Sequence, residues 1–257
     1  MEINSKNIVL TGASAGIGLK ILEQLLQYKN VKIVAVARNI ETIPVQEGIV
    51  FPFSADISSK EGVDSLFSYC KSVFANIDIF ISNAGFAYFE KLNFPDWKHI
   101  EDIYSLNVFS ILYSLEKFKA DSTGNPKYFV CTSSAVAMVP LPYYSLYCST
   151  KAALHQFFNT YQYEKSENFH TMVVYPVATR TAFFDKAANS SDMSLPFLTQ
   201  TPDVVAKAVI NGIEKNKRKV YPSFLFRIFN VLGRVFPFLF HLYSLNEKRK
   251  AMKNQGL

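Results

Sequence analysis

The chain predicts an α/β fold, a single doubly wound domain with a parallel sheet flanked by helices. Three observations carry that expectation. Short apolar, β-branched runs alternate with longer segments of helical periodicity. The strand-like runs are apolar almost throughout, as strands covered on both faces must be. The first of them leads into a glycine-rich turn, and the last helical segment is followed by an apolar extension of different character.

Taken in order, NIVLT (7–11) reads as the first strand and 16–29 as the first helix. VKIVAVA (31–37) and GIVFPFS (48–54) read as strands, followed by a helix over 59–73. IDIFIS (77–82) leads to a long helix over 96–118. PKYFVCTSS (126–134) leads to a helix over 144–166. HTMVVYP (170–176) leads through a loop to TPDVVAKAVINGIEKN, with Thr201 as N-cap and Pro202 in the first turn. Val204, Val205, Ala208, Val209 and Ile213 fall on one face of that last helix. A seventh strand is expected at 219–221.

The 257 residues are 49% apolar and 19% charged, enough for one large core. A net charge of +6 leaves open an anionic cofactor, a membrane surface or nucleic acid. The basic residues are mostly scattered, and the dense cluster Lys215, Lys217, Arg218 and Lys219 adjoins the apolar tail, so no nucleic-acid partner is expected. Cys70, Cys131 and Cys148 fit neither a metal site nor a disulfide framework, which suits a reducing, cytoplasmic setting. The N-terminus lacks the pattern of a signal peptide, and no ordinary membrane-spanning helix is expected. His99, His155, His170 and His241 show no metal spacing.

TGASAGIG (11–18) places Gly12, Gly16 and Gly18 between the first strand and the first helix. Glycine allows positive φ and close approach of backbone to a ligand, and a helix start offers N–H groups to a pyrophosphate. That is the pattern of a dinucleotide site. A carboxylate at the end of the second strand would suit the ribose 2′-OH of NAD, and an arginine the 2′-phosphate of NADP. The strand ends AVARN, with Ala37 where an acid would stand and then Arg38, so NADP(H) is expected over NAD(H).

YCSTK (147–151) sets Tyr147 and Lys151 one helical turn apart. A phenol titrates near pH 10, and a neighbouring ammonium favours its ionised form, which would make the pair an acid/base device nearer neutral pH.

With these motifs in order, residues 6–222 resemble the short-chain dehydrogenase/reductase family. TGASAGIG looks like its glycine motif, and the resemblance adds Ser14 and Ile17 to the cofactor loop. Asp56 in SADIS matches the acid near the adenine. SNAG (82–85) is similar to the family's N-N-A-G, with Ser82 for the first Asn and Asn83, Ala84 and Gly85 retained. Asn107 in SLNVF matches the catalytic asparagine, and Ser134 lies 13 residues before Tyr147, the family's usual separation. Neighbouring Ser133 ranks below it on spacing.

The resemblance implies a Rossmann-type fold and interconversion of carbonyl and alcohol. Tyr147 would move the proton, Lys151 would lower its pKa and hold the nicotinamide ribose, and Ser134 would hold the substrate oxygen. Asn107 would place a relay water. Pro176 and Thr181 match the loop that meets the nicotinamide. Val177 stands where the family usually has glycine, and because valine resists positive φ a differently shaped loop is expected. Family members usually form homodimers or homotetramers. A catalytically silent NADP(H) sensor or scaffold is the alternative, against which the complete set of Asn107, Ser134, Tyr147 and Lys151 argues.

The loops expected to face substrate are apolar: Phe86, Tyr88 and Phe89; Met138, Val139, Leu141, Tyr143 and Tyr144; Phe183 and Phe184. They suit a hydrophobic carbonyl or alcohol, lipid-like, steroid-like or long-chain. Residues 223–257 form a C-terminal addition, an amphipathic helical segment beyond the 1–222 domain. Its weakly apolar positions, such as Arg227, Asn230, Arg234 and His241, make a narrow stripe, and Pro237 is expected to kink or divide it. Three roles stand open for 223–245: contact with a membrane surface, a lid on the substrate pocket, or packing against a second subunit.

Overall fold

The computed structural model describes residues 1–92, 95–120, 126–183, 187 and 198–254. Its main sheet has seven parallel strands in the order β3-β2-β1-β4-β5-β6-β9. These are β1 (Asn7–Thr11), β2 (Lys32–Ala37), β3 (Val50–Ser54), β4 (Ile79–Ser82), β5 (Lys127–Thr132), β6 (Phe169–Val174) and β9 (Lys219–Val220). The strand order reverses between β1 and β4, and the crevice at their carboxyl ends is where such sheets bind ligands.

Helices cover both faces because the strands are apolar on both. On one face α1 (Gly16–Leu25) and α6 (Pro202–Glu214) bury Ile21, Leu25, Val205, Val209 and Ile213 against Ile8, Leu10 and Ile33. On the other, α2 (Lys60–Val73), α4 (Ser110–Ala120) and α5 (Ser145–Tyr161) bury Leu66, Leu115 and Phe158 against Val9, Phe80 and Phe129. Thr201 stands at the N-cap of α6, but its side chain makes no capping bond, and Val204 points to solvent while Val205 is buried.

The expected helix over 96–118 is interrupted. α3 (Trp97–Tyr104) and α4 are joined by one π-helical turn, Ser105–Phe109. Such a turn rotates the side chains after it, and here it holds Asn107. A small ladder absent from the sequence reading pairs β7 (Ala178–Thr179) with β8 (Thr199–Gln200).

Pro237 divides the C-terminal segment as expected. α7 (Phe224–Val235) and α8 (Phe238–Asn254) meet at a bend of 120°. The hairpin folds back onto the domain, where Phe226 packs with Ala135, Val139 and Val177.

Candidate active site

The glycine loop behaves as its composition requires. Gly12 and Gly16 have φ of +69° and +55°, a region costly for a residue with a β-carbon. Gly18 is needed for a different reason: a β-carbon there would come within 2.0 Å of the Gly12 carbonyl oxygen. It lies beneath the loop and lets α1 start against β1. No side chain caps α1 and no acid occupies its first turn, so its N–H groups and positive dipole end stay available to an anion. The Thr11 hydroxyl oxygen accepts from the backbone N–H groups of Asn83 (3.0 Å) and Ala84 (3.1 Å), tying the 83–85 segment to the loop. The residues present therefore fit an extended dinucleotide.

A cavity of about 790 Å3 opens at the carboxyl ends of the strands. Of the residues expected to hold cofactor, Gly12, Ser14, Gly16 and Ile17 line it, as do Arg38 and Asp56. So do Asn83, Ala84, Gly85, Pro176 and Thr181. Arg38 is exposed at the end of β2. The Asp56 carboxylate accepts the Ser58 N–H at 3.0 Å, which holds its pKa below the usual range, and the charge on Arg38 adds to the effect. Thr181 packs close to Gly16, whose β-carbon would lie 3.1 Å from the threonine methyl.

The proton-bearing residues meet in the same cavity. Tyr147 and Lys151, on the first turns of α5, are 8% and 3% exposed. The Lys151 ammonium donates to the Thr132 carbonyl at 3.0 Å. Ser134 starts a short 3-10 turn and accepts from the Val136 N–H at 3.3 Å. Its hydroxyl donates to the Pro176 carbonyl at 3.4 Å, and it lies near enough to the Tyr147 phenol to favour the ionised form. Ser133 also borders the cavity, but its hydroxyl is engaged with the Lys151 carbonyl at 3.3 Å. Asn107 does not line the cavity. It is fully buried, accepts the Phe86 N–H (3.1 Å), and donates to the Phe86 carbonyl (2.8 Å) and the Thr150 hydroxyl (3.2 Å).

Burial pushes the Tyr147 phenol well above its ordinary range, and the neighbouring Ser134 hydroxyl opposes that shift. Burial pushes Lys151 down to about 8. At neutral pH both groups keep their protons, so the phenol is available as a proton donor beside an ammonium.

The apolar loops divide. Phe86, Tyr88, Val139, Leu141 and Phe183 line the cavity, whereas Phe89, Met138, Tyr143 and Tyr144 pack behind it. Phe184 lies outside the described residues. Val177 avoids positive φ, and its side chain is buried beside Phe226. Among the wall residues not foreseen from the sequence are Phe226 and Phe229 of α7 and Tyr243 of α8. The one available signal was the i, i+3 spacing of the two phenylalanines. No group of metal-ligating side chains forms among the described residues.

The chain is similar to known proteins over most of its length. The short chain dehydrogenase family model matches residues 6–192. Short-chain dehydrogenase/reductase family 16C member 6 of Bos taurus is 26% identical over 242 residues, covering 87% of this chain and 74% of the relative. An 11-beta-hydroxysteroid dehydrogenase-like protein of Arabidopsis thaliana is 27% identical, covering 95% and 82%. Among solved structures, a short chain dehydrogenase from Burkholderia cenocepacia in complex with NADP superposes with a TM-score of 0.80 at 22% identity, covering 95% and 99%. Another, from Burkholderia phymatum in complex with NAD, has a TM-score of 0.79 at 16% identity, covering 91% and 94%. With a family match over most of its length and a fold to suit, the chain belongs to the short-chain dehydrogenase/reductase family and is an NAD(P)-dependent oxidoreductase.

Proposed function

We propose that the protein reduces a carbonyl, or oxidises the corresponding primary or secondary alcohol, on a hydrophobic substrate with NADP(H) as cofactor. The observation that carries this reading is the buried phenol of Tyr147, which shares a largely apolar cavity with Ser134, Lys151 and the glycine loop.

In the reducing direction the neutral Tyr147 hydroxyl gives its proton to the carbonyl oxygen as negative charge grows there. Ser134 donates to the same oxygen and stabilises that charge. The nicotinamide, when bound, supplies the hydride, which no side chain can. Lys151, held by Thr132, offers its remaining N–H groups to the ribose and stabilises the phenolate left on Tyr147 until a proton returns from solvent. Asn107 positions the segment around Phe86, and a relay water beside its amide would connect Lys151 to that solvent. In oxidation the same groups run in reverse. Gly12, Ser14, Gly16, Ile17 and the 83–85 segment would hold the dinucleotide, backed by Gly18, and Pro176 and Thr181 would meet its nicotinamide end.

Preference for NADP(H) over NAD(H) is supported by Arg38 on the cavity and by Ala37 in place of an acid. A similar structure from Sphingobium yanoikuyae holds NADPH, with a TM-score of 0.75 at 21% identity. The hydrophobic substrate is supported by the walls formed by Phe86, Leu141 and Phe183. Assembly as a homodimer or homotetramer through the long helices is supported by Phe109, 57% exposed beside α4. A cytoplasmic location, peripheral to a membrane, suits the thiols of Cys131 and Cys148 and the apolar surface of the C-terminal hairpin.

The test is NADPH oxidation against aldehydes and ketones graded in chain length and ring content. Rates that rise with hydrophobicity and vanish in Tyr147→Phe support the reading; undiminished turnover in that variant overturns the mechanism.

A further inference from the structure

The α7–α8 hairpin is built inside out for a surface in water. Asn230 is turned towards the protein, 5% exposed, with no hydrogen-bond partner at its Oδ1. Ser244 also faces inward and donates to the Pro140 carbonyl at 2.8 Å. The polar stripe seen in the sequence is thus partly spent against the domain. Facing away on α7 are Phe224, Leu225, Ile228, Val231, Leu232 and Val235, each between 43% and 70% exposed. Their spacing makes one continuous strip along the helix. Phe238, Leu242 and Leu245 extend it over α8 at 38% to 58% exposure. Gly233 allows the two helices to cross closely, since a β-carbon there would meet the Phe240 ring at 2.0 Å.

The charge around the strip has one sign. Residues 223–257 hold six lysines and arginines against one acid, Glu247, a net +5 in a chain whose total is +6. Glu247 is buried and paired with Lys250 at 2.7 Å. Arg227 and Arg234 are exposed on α7, and Lys248, Arg249 and Lys253 are exposed near the end of α8. A second copy seated on this strip by two-fold symmetry would set cations against cations. Acyl chains beneath anionic headgroups match both the strip and its rim. No single described helix is long and apolar enough to cross a membrane.

The inner side of the same helices is the cavity wall. Phe226, Phe229 and Tyr243 line the space that Tyr147 opens into. One helix thickness, about 10 Å, separates the outer strip from that space.

We infer that the hairpin is a bilayer-seated lid: its outer strip rests in the interfacial region of an anionic phospholipid bilayer. The substrate, a lipid-dissolved amphiphile bearing a carbonyl or hydroxyl group, passes from that layer into the cavity beside Phe226, Phe229 and Tyr243. The substrate half of this inference rests on the carbonyl–alcohol chemistry proposed above; the docking half does not.

The full chain is sedimented with vesicles of phosphatidylcholine alone or with one quarter phosphatidylglycerol. The wild type is expected to bind the anionic vesicles. The triple variant Val231→Ser, Leu232→Gln, Leu242→Gln is expected to bind about tenfold or more weakly. Lys248→Glu with Arg249→Glu should lose the preference for phosphatidylglycerol. Retained NADPH binding reports that each variant is folded. Turnover of a long-chain carbonyl should be faster when it is presented in anionic vesicles, and the triple variant should lose that gain. Tyr147→Phe should bind vesicles like the wild type. Wild type and triple variant alike remaining unsedimented would overturn the inference. So would a wild-type dimer that the triple variant converts to monomer without any vesicle binding, which would assign the strip to a second copy. Vesicle binding without turnover of any carbonyl or alcohol would overturn the substrate half and the proposed chemistry together, and would uphold the docking.

Discussion

Lys151 holds its ammonium 5.5 Å from the centre of the Tyr147 ring and bonds the Thr132 carbonyl, so the two residues share one buried pocket. With burial pushing Lys151 down to about 8, the cavity loses its ammonium as pH rises through that value. NADPH affinity should therefore be flat on the acid side and fall above pH 8. Lys151→Met should bind more weakly and lose this dependence. Fluorescence titration of NADPH against pH reads both. Stability should move the other way. The unfolded chain keeps its lysine proton up to about pH 10 while the folded chain has released it, so this group makes the protein more stable as pH rises between those values.

Removing the phenolic oxygen leaves the ring packing intact and deletes the proton donor. Tyr147→Phe should lose about 10²–10⁴-fold in kcat, with NADPH dissociation constants within a few-fold of wild type. Steady-state NADPH oxidation and equilibrium binding, measured side by side, separate a chemical role from a binding one.

Arg38→Gln should raise the dissociation constant of NADPH and leave that of NADH nearly unchanged. A charge-assisted bond to phosphate contributes about 1.5–3 kcal/mol, or roughly 10–150-fold. Equal weakening of both cofactors would show that Arg38 does not read the 2′-phosphate. Competition titrations of the two cofactors measure the ratio directly.

Gly18→Ala should abolish NADPH binding and lower Tm, because its β-carbon would lie 2.0 Å from the Gly12 carbonyl oxygen and backbone must move to admit it. Overpacking of this kind costs about 1–3 kcal/mol. Thermal unfolding with and without NADPH separates loss of stability from loss of the site.

Phe229→Ala should raise KM for long-chain carbonyls by about tenfold, the loss of part of a buried aromatic contact, and change kcat/KM for short ones little. Phe229 is a half-buried wall residue that meets neither Tyr147 nor the glycine loop in the hydrophobic clusters. A uniform fall across chain lengths would mean that it supports the hairpin instead of meeting substrate.

The seven strands and the helices against them were legible because they depend on short-range pattern. Continuous β-branched runs need cover on both faces, and apolar residues at helical spacing need one buried side. The glycine loop and the Tyr147–Lys151 pair were legible for a similar reason: positive φ and a one-turn separation are properties of a few neighbouring residues. The π turn at Ser105–Phe109 was not. It arises where Asn107 turns inward to bond Phe86 and Thr150, contacts made across the fold. Val177 gave the opposite lesson, since its loop avoids positive φ by packing the side chain on α7, which no local rule foresees.

By itself the sequence determined the layer architecture, the glycine turn and the one-turn spacing of Tyr147 and Lys151, because local backbone geometry and side-chain chemistry travel with the residues. Only the tertiary structure decided that burial shifts the phenol up and the ammonium down, that Phe226, Phe229 and Tyr243 complete the cavity, and that the hairpin turns Asn230 inward and its leucines and valines outward. Those outcomes depend on burial, and burial is set by segments far apart in the chain meeting in space.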